Sequence, residues 1–561
     1  MCGIVGNYNS NQINKKDFYS LVDSLNHRGP DFQNTFFYEN FALGHTRLSI
    51  IDLSENANQP FISLCKNFVL IFNGEIYNYL ELKNELKRFG IQFLTNSDTE
   101  VLLNGFIHFK EKVLEKLNGI FSFCILNKKE NTLFFARDTN GIKPLYYFHK
   151  DNNFVFSSEI RAIKKHSSNF NTHSQIKFYV FGSVPGNDSI YQDIKEFPKS
   201  SYGILENNVL TISKFSFKTH NQFSVKESII KGVKMELVSD APIGIFLSGG
   251  LDSSIIATIA AKNSIKKLNT FSLVNNPEEE KFQQIISKYL KTNHFSKKID
   301  ANTFENEIPN FLNSLDQPTI DGFNTYLLSK FIREKNIKVG ISGIGSDENF
   351  YGYPSFKRLK KLRLIKKLSL YNFLGKLNSK YQKLDYLNNN DFFSYYLASR
   401  AVFPKQYILN KFNISSEEFD SIIYPTNLHS KNEFELISNF ENDLYMSSQL
   451  LRDADVFGMK NSVEIRVPFL NNYITSAVKK VDKKNFIGAN NKQFLVNLFK
   501  HSLPKEIYSR KKSGFELPYE IWLKNNLESL KIDLDLKKLY QQNKIHWSKI
   551  WLNHIFNSKF S

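Results

Sequence analysis

The chain of 561 residues is 41% hydrophobic and carries a formal net charge of +18 at pH 7. This length exceeds that of one ordinary domain, so we expect two or more domains, each with its own core. No apolar run reaches the length of a membrane span, the N-terminal residues lack the features of a signal peptide, and the three cysteines form neither a disulfide framework nor a metal-binding pattern.

The positive charge by itself suggests a nucleic acid or a membrane surface as partner. Lys, Asn, Ile and Phe are frequent along the whole chain, however, which favours a general compositional bias. An anionic substrate such as ATP also suits a basic protein. We therefore expect a cytoplasmic protein with no nucleic-acid partner and no stable membrane insertion.

The N-terminal residues Met1-Cys2-Gly3-Ile4-Val5-Gly6 place a cysteine directly before a buried-strand pattern. A cysteine at position two is often without function. If Met1 is removed, which the sequence leaves open, Cys2 carries both a thiol and a free α-amine. That amine titrates near pH ~8 and can act as the general base for its own thiol. The sequence thus predicts an N-terminal nucleophile.

Three further segments carry polar groups that could bind a substrate carboxylate, stabilise an oxyanion or cap a helix. Arg47 lies among strand-like apolar residues, where its guanidinium could clamp a carboxylate. The Asn73 amide and the Gly74 N–H follow the predicted strand Phe68–Phe72 and are donors of the kind that an oxyanion hole needs. Asp98 precedes a predicted helix, and taken alone it is better interpreted as a helix cap.

We place a domain boundary near residue 210, where periodicity is lost, so that the domains are 1–210 and 211–561. The second domain opens with an amphipathic helix, Val225–Leu237, and then a glycine turn, Ser248–Ser254, between an apolar strand and an apolar helix. Glycines allow close backbone approach, and free N–H groups at a helix start bind anions. This turn is not a Walker loop, because no Gly-Lys-Ser/Thr follows. A phosphate site is favoured over a plain turn.

Two more predicted strands lead towards the same place. Thr270–Leu273 is predicted to be the next parallel strand, and Lys338–Ile341 ends in a glycine turn that carries Asp347. Ligands gather at the carboxyl ends of strands in doubly wound sheets. Asp252 and Asp347 on neighbouring turns therefore favour a shared Mg²⁺ site over separate turn roles, since Mg²⁺ prefers oxygen ligands.

The order of several motifs resembles that of class II glutamine amidotransferases. With Ser248–Ser254 downstream, the chain is similar to glutamine-hydrolysing asparagine synthetases from residue 2 to about residue 525. The motifs are Cys2-Gly3-Ile4, Arg28-Gly29-Pro30, Arg47 to Asp52, Asn73 to Asn78, Ser97 to Glu100, Leu451 to Asp455, Glu464 to Leu470 and Asn491 to Leu495.

The resemblance implies a fold and a set of site residues. The fold implied is an α/β one, an N-terminal nucleophile hydrolase αββα sandwich followed by a doubly wound parallel-sheet ATP-pyrophosphatase domain. Cys2 would attack the side-chain amide of glutamine, and Asn73 and Gly74 would stabilise the oxyanion. The residues implied to hold the glutamine α-carboxylate and α-amine are Arg47, Gly74, Glu75 and Asp98.

In the second domain the resemblance implies adenylation of a carboxylate acceptor by MgATP, followed by attack of ammonia that reaches it through an internal tunnel. Asp252 and Asp347 would hold Mg²⁺, and Lys492 would neutralise the leaving pyrophosphate. The residues implied to contact ATP are Leu247, Ser248, Gly249, Gly250, Asp252, Ser253, Leu273, Ser342 and Gly343.

The sequence departs from the family in the region that handles the acceptor. Ile344 stands where asparagine synthetases usually have a glutamate, and Ile344 cannot transfer a proton. Where an acceptor-binding arginine is expected, the chain has Asp321 or Gly322, and the next arginine is Arg333. A carboxylate there would repel aspartate. These departures resemble paralogues associated with cell-surface polysaccharide synthesis.

Two functions therefore remain open: asparagine synthesis from aspartate, and the same chemistry on another acceptor such as a uronic or other sugar acid. A catalytically inactive scaffold is disfavoured because Cys2, Asn73, Asp252, Asp347 and Lys492 are all present. The basic stretch 356–383 suggests a solvated helix packed on the domain, with a membrane-surface or polyanion contact as the alternative. The oligomeric state is also open, a homodimer included.

Overall fold

The computed structural model of the chain describes residues 2–9, 13–218, 223–353, 355–371, 373, 375, 379–389, 391–425, 432–486, 492–510 and 517–561. Met1, Asn491 and parts of the basic stretch 356–383 lie outside the described residues. Within the described ranges, no helix is both long enough and apolar enough to cross a bilayer.

Two antiparallel sheets of six strands form the first part of the chain, in the orders β10-β8-β9-β1-β3-β2 and β12-β11-β7-β6-β5-β4. Their strands are β1 (Cys2–Asn9), β2 (Phe32–Tyr38), β3 (Phe41–Arg47), β4 (Phe61–Ile62), β5 (Phe68–Ile76), β6 (Gly119–Asn127), β7 (Thr132–Arg137), β8 (Tyr146–Lys150), β9 (Asn153–Ser157), β10 (Ile194–Glu196), β11 (Ser201–Glu206) and β12 (Val209–Lys214). The helices of this part are α1 (Lys15–Asp23), α2 (Tyr79–Arg88), α3 (Asp98–Phe109), α4 (Ile160–Ile163) and α5 (Thr172–Phe181).

The two sheets pack face to face with helices on both outer faces. Ile4, Leu43, Ile71 and Cys124 belong to the apolar layer between the sheets. Helices α1 and α4 cover the outer face of the first sheet, and α2 and α3 cover the outer face of the second. Alternate side chains of a strand point to opposite faces, so strands that are buried on both faces require these apolar runs. The predicted αββα sandwich is confirmed.

The third sheet has five parallel strands in the order β15-β14-β13-β16-β17. They are β13 (Ile243–Phe246), β14 (Asn269–Val274), β15 (Asn293–Lys298), β16 (Val339–Ile341) and β17 (Glu464–Arg466). The associated helices are α6 (Val225–Glu236), α7 (Leu251–Asn263), α8 (Pro277–Leu290), α9 (Ala301–Ser314), α10 (Phe323–Arg333) and α11 (Ser346–Asn349). Strand order reverses at β13, which is where doubly wound sheets bind ligands. The predicted parallel α/β fold is confirmed.

Further helices surround the parallel sheet. They are α12 (Ser355–Lys367), α13 (Phe392–Arg400), α14 (Lys405–Phe412), α15 (Ser416–Ile423), α16 (Glu433–Phe440), a π-helical segment (Glu441–Leu451), α17 (Arg452–Lys460), α18 (Asn472–Lys479), α19 (Gln493–Phe499), α20 (Lys505–Ser509), α21 (Tyr519–Asn525), α22 (Leu534–Gln541) and α23 (Trp547–Lys559). In the basic stretch, α12 matches the predicted helical spacing. There Leu362 is buried, whereas Leu364 and Leu368 are mainly exposed.

A large apolar core of the second half includes part of the first. Tyr179 of α5 lies against Phe403, Phe412 and Phe556. In addition, the Val402 N–H donates to the Val180 carbonyl oxygen over 2.8 Å. Helix α5 therefore packs with the C-terminal helices, and the two halves share a buried interface.

Replacing Trp551 by Ala is expected to lower the free energy of unfolding by about 3–5 kcal/mol. The Trp551 side chain is fully buried against Phe304 and Phe311, so truncation leaves a cavity. Urea unfolding measures the change. Leu534→Ala is the matched control, because Leu534 is 74% exposed and its truncation should change stability by less than about 0.5 kcal/mol. Equal effects of the two substitutions would contradict the assignment of this core.

Candidate active site

Cys2 begins β1 and pairs directly with Arg47 at the end of β3. The apolar strand places the thiol in the interior, where Cys2 is 7% exposed. Burial raises the pKa of the Cys2 thiol, while a hydrogen bond from the Leu48 backbone and the positive charge of Arg47 act in the opposite direction. A buried thiol of this kind needs a nearby base before it can act as a nucleophile.

Asn73 lies beside Cys2, on strand β5. The Cys2 N–H donates to Asn73 Oδ1 over 3.1 Å. The Nδ2 group of Asn73 is buried without a hydrogen-bond partner among the described residues. A buried donor without a partner is costly unless a ligand completes it. The geometry therefore leaves one amide donor available next to the thiol.

Strand β5 is longer than the sequence predicted. The predicted strand ended at Phe72, but the observed strand continues to Ile76 and pairs with β6 throughout. Gly74 thus lies within a sheet, with a φ of +151°. A Cβ atom at Gly74 would clash with the Ile120 carbonyl oxygen, so only glycine fits this position.

A small cleft joins the residues that the sequence analysis placed around glutamine. Its lining includes Cys2, Arg47, Gly74, Glu75 and Asp98. Asp98 Oδ2 accepts a hydrogen bond from the Ile76 N–H over 2.9 Å. Burial raises the pKa of Asp98 to about 6, and burial together with the charges of Glu464 and Asp98 raises the pKa of Glu75. Two carboxyl groups therefore line one side of the cleft.

The guanidinium of Arg47 already has partners in the loop that follows β3. Nη1 donates to the Ser54 carbonyl oxygen over 2.8 Å and to Asn58 Oδ1 over 2.7 Å, and Nη2 donates to the Asp52 carbonyl oxygen. Because these bonds hold the loop against the cleft, Arg47 orders the rim of the site.

The predicted phosphate turn lies between β13 and α7. Ser248 Oγ and Ser253 Oγ are 3.0 Å apart, and the Ser248 N–H donates to Ser253 Oγ over 3.2 Å. Gly250 occupies the N-cap of α7 and offers no side-chain acceptor to the first turn of that helix. The free N–H groups at this helix start are suited to an anion.

Lys492 lies between the two predicted metal-binding carboxylates. Its Nζ is 2.5 Å from Asp252 Oδ2 and 2.6 Å from Asp347 Oδ1. It also donates to Ser346 Oγ, which in turn donates to Asp252. Burial favours the neutral amine, but the two carboxylates raise the pKa of Lys492. The chain thus brings one ammonium and two carboxylates together from three distant segments.

A cavity of about 400 Å³ is lined by Asp252 and Asp347, the two carboxylates that contact Lys492. Its lining includes the predicted site residues Leu247, Ser248, Asp252, Ser253, Leu273, Ser342, Gly343 and Asp347. Gly249 and Gly250 form the adjoining turn. Besides these polar groups, Phe246, Phe271 and Leu273 supply an apolar surface. Such a cavity suits a ligand with a flat apolar part and a charged part.

Two acidic residues that the sequence analysis left without a role also line this cavity. Glu348 is fully buried, hydrogen-bonds the Tyr353 hydroxyl, and has a pKa raised to about 7, mainly by burial and by Asp347. Asp453 accepts a hydrogen bond from the Thr319 hydroxyl over 2.7 Å, and burial raises its pKa to about 7. Asp453 lies in the motif Leu451 to Asp455 and Glu348 directly follows Asp347, and these positions were the available signals for the two residues.

The two positions that depart from the family pattern face the same cavity. Ile344 and Asp321 are both part of its lining. Ile344 also packs against a buried apolar cluster that includes Tyr77, Ile120 and Ile142 of the first half. An apolar side chain therefore occupies the place of the expected glutamate, at the boundary between the cavity and the interface.

Two buried arginines connect the candidate sites. Arg28 Nη1 is 2.8 Å from Asp455 Oδ2, and Arg28 Nε donates to the Cys2 carbonyl oxygen over 3.1 Å. Arg466 Nη2 is 3.7 Å from Glu75 Oε1, and its carbonyl oxygen accepts from the Ser342 N–H over 2.9 Å. Each arginine thus contacts a residue of one site and a residue of the other half of the chain.

Comparison with protein families assigns both halves. A family described as glutamine amidotransferase domain matches residues 1–216, and a family described as asparagine synthase matches residues 224–546.

Comparison with individual proteins gives matches along nearly the whole chain. Asparagine synthetase [glutamine-hydrolyzing] 1 of Bacillus subtilis (strain 168) is 31% identical, over 94% of this chain and 88% of its own length. Asparagine synthetase [glutamine-hydrolyzing] 3 of the same organism is 29% identical, over 92% of this chain and 87% of its own length. A putative asparagine synthetase [glutamine-hydrolyzing] 2 of Methanocaldococcus jannaschii is 32% identical, over 68% of this chain and 80% of its own length.

Gly249→Ala is expected to destabilise the protein by clearly more than Gly90→Ala. Both glycines have a positive φ, +70° and +79°, so alanine costs about 1–2 kcal/mol at either position. At Gly249 the new Cβ would also lie 2.8 Å from the Gln283 backbone nitrogen, whereas at Gly90 it would meet nothing within 4 Å. Thermal unfolding compares the two variants, and equal losses would contradict the close approach of the turn to α8.

Proposed function

We propose that this chain, which belongs to the glutamine-hydrolysing asparagine synthetase family, uses ammonia from glutamine to convert an ATP-activated carboxylate into an amide. We place the division between its two catalytic parts near residue 210. The observation that carries the proposal is the pairing of two sites in one chain: a buried Cys2 beside an available amide donor, and a cavity lined by two aspartates that pair with Lys492.

In the first site, Cys2 acts as the nucleophile after removal of Met1. The free α-amine takes the thiol proton, and the sulfur forms a bond to the side-chain carbonyl carbon of glutamine. Asn73 Nδ2 and the Gly74 N–H donate to the oxyanion that develops. The carbon–nitrogen bond then breaks, ammonia leaves with the transferred proton, and water hydrolyses the thioester to glutamate.

The same cleft binds the amino-acid end of glutamine. Asp98 and Glu75 face the α-amine, with Asp98 ionised above about pH 6, and Arg47 and Gly74 hold the α-carboxylate. Support comes from their shared cleft with Cys2. The Arg47 guanidinium also donates hydrogen bonds to the loop at the edge of the cleft, so the same group orders that loop and meets the substrate.

In the second site, ATP lies along the cavity over the phosphate turn. Its phosphates meet Ser248, Gly249, Gly250 and Ser253, its adenine meets Leu273, and Ser342 and Gly343 contact the nucleotide. Asp252 and Asp347 would hold Mg²⁺, which neutralises phosphate charge when bound. Their oxygens fit such an ion, because each lies within 2.6 Å of the same Lys492 nitrogen.

The acceptor carboxylate attacks the α-phosphorus of ATP, and pyrophosphate leaves with its negative charge facing Lys492. Ammonia then attacks the carbonyl carbon of the acyl-adenylate. AMP leaves, one proton is released, and the acceptor carboxylate has become an amide. Lys492 is placed for the first step because the two carboxylates keep it charged.

Ammonia reaches the second site through the interface between the halves. A buried apolar cluster joins Tyr77, Ile120 and Ile142 of the first half to Leu451 and Ile465 of the second. Ile344 packs against this cluster and also lines the ATP cavity. An apolar route suits neutral ammonia, since it excludes the water that would protonate it.

Aspartate is the first candidate acceptor, because the relatives carry the name asparagine synthetase. A second candidate is a sugar acid, which Asp321 and Ile344 in the cavity wall favour. The negative charge of Asp321 would repel the second carboxylate of an aspartate molecule.

Cys2→Ala is expected to abolish glutamine hydrolysis and glutamine-driven amide synthesis while leaving ammonia-driven pyrophosphate release. Only the first site loses its nucleophile. Cys65→Ser is the matched control, because Cys65 is exposed and outside the cleft, and it should keep both activities. Glutamate formation and pyrophosphate release measure the two halves separately. Glutamine hydrolysis that survives in the Cys2→Ala protein would overturn the proposal for this site.

The efficiency of glutamine hydrolysis is expected to fall as pH drops below about 6. The pKa of Asp98 is raised to about 6, so above this pH Asp98 is ionised and can pair with the α-ammonium of glutamine. Below it, protonation removes that charge, and kcat/KM should decline by a further factor of about ten per pH unit, beyond the decline that protonation of the Cys2 α-amine causes below about pH 8. Asp98→Asn should be poor at all pH values and lack this decline. An unchanged acid limb in Asp98→Asn would contradict the role of Asp98.

A further inference from the structure

A second cavity of about 430 Å³ adjoins the ATP cavity. The two cavities share Asp321, Asn324 and Tyr445 in their linings. The remainder of the second lining includes Tyr396, Arg400, Gln449, Tyr519, His546 and Trp547. His546 is exposed, so this end of the cavity opens to solvent. The second cavity is therefore an entrance chamber whose inner end reaches the nucleotide site.

The inner end is where the acceptor must react. Ile344 and Ile465, at the boundary with the apolar interface, line the ATP cavity together with Asp321. The nucleotide occupies the part over the phosphate turn, and ammonia arrives on the Ile344 side. The body of the acceptor is then left with the space beyond Asp321, which is the second cavity. That space is within the range of pockets that enclose drug-sized ligands, and aspartate would leave most of it empty.

Flat aromatic surfaces dominate the outer part of this cavity. Tyr519 and Trp547 stack with ring centroids 4.6 Å apart and 15° between their planes. Such surfaces bury the apolar face of a ring, and the indole N–H and phenol hydroxyl keep a polar edge. An acceptor with a ring of C–H groups on one face fits this wall better than a short acyclic chain does.

The polar groups of the lining suit hydroxyls rather than a second carboxylate. Asp321 lines both cavities, and its Oδ1 accepts from the Gly322 N–H over 2.8 Å. The described residues of this lining include one arginine, Arg400, and no lysine. Arg400 is already paired with Glu441 over 2.5 Å. Its guanidinium also lies 4.2 Å from the Tyr445 ring centroid. In the described lining, side chains that can accept a hydrogen bond from a hydroxyl thus outnumber cations that are free to bind a second carboxylate.

We infer that the second cavity is the acceptor subsite, and that the acceptor is a sugar acid, with one carboxylate on a hydroxylated ring. This inference rests on the proposed function. The sugar ring stacks on Trp547, its hydroxyls donate to Asp321 and Asn324, and its carboxylate reaches the ATP cavity between Asp321 and Ile344. The carboxylate oxygen bonds to the α-phosphorus of ATP with loss of pyrophosphate, and ammonia then replaces AMP to give a sugar amide.

Pyrophosphate release by the full-length protein tests the class of acceptor. The assay contains MgATP and ammonium chloride, so that it does not depend on Cys2, and the added compounds are glucuronate, galacturonate, aspartate and glucose. A uronate is expected to raise the rate at least tenfold above glucose, and mass spectrometry should detect the uronamide. Pyrophosphate release with aspartate alone, together with asparagine, would overturn the inference and leave the proposed function intact.

The remaining outcomes are also distinct. If glutamine is hydrolysed but no acid raises pyrophosphate release, the sugar-acid class is wrong while the glutaminase half stands. If neither glutamine hydrolysis nor ATP cleavage occurs, the proposed function itself fails.

Trp547→Ala tests the place of binding. It is expected to raise the KM for the uronate about tenfold with little change in kcat, because a stacking surface is lost. Trp547→Phe keeps a flat ring and should restore most of the affinity. Thermal unfolding reports whether each variant is folded. An unchanged KM in folded Trp547→Ala would overturn the subsite.

Asp321→Asn is a second, smaller change that preserves shape. It removes the charge that opposes a second carboxylate, so the ratio of uronate to aspartate activity is expected to fall several-fold. An unchanged ratio would count against the role of Asp321 in selecting the acceptor.

Discussion

The buried guanidinium of Arg466 is the contact on which the arrangement of the two halves depends. It donates to Glu464 Oε1 and to the carbonyl oxygens of Glu236 and Val238, and it lies 3.7 Å from Glu75. A charge that is fully buried is tolerated only when carboxylates and carbonyls surround it. Those partners come from both halves of the chain. The charge and hydrogen bonds of Arg466 are therefore satisfied only when the two halves keep this relative position.

Arg28 makes a second connection between the halves, again as a buried charge with partners in both. It is also fully buried, pairs with Asp455 and Glu159, and donates to the Cys2 carbonyl oxygen. Strand β1, which begins at Cys2, is thus tied to a helix of the second half. Breaking one member of such a pair leaves an uncompensated buried charge, which costs several kcal/mol. The two sites are therefore parts of one folded unit, as transfer of a reactive product between them requires.

Lys492 balances the negative charge of the second site. Two carboxylates at close range would repel one another, and the ammonium between them relieves that repulsion. Arrival of a phosphate-bearing ligand then exchanges one set of charges for another within the same geometry. The proposed acceptor side is built differently, from aromatic rings together with Asp321 and Asn324, so the two ends of the joined cavities favour chemically different parts of the reaction.

The sequence alone determined both fold classes, the turn between β13 and α7, and the set of candidate residues, because these depend on local periodicity and on ordered motifs. It ended β5 too early, since the apolar pattern stops at Phe72 while pairing with β6 continues. Only the tertiary structure decided that Lys492 meets Asp252 and that Arg28 meets Asp455, because sheet order sets such distant contacts. The second cavity was equally invisible, since its walls come from helices that no local pattern brings together.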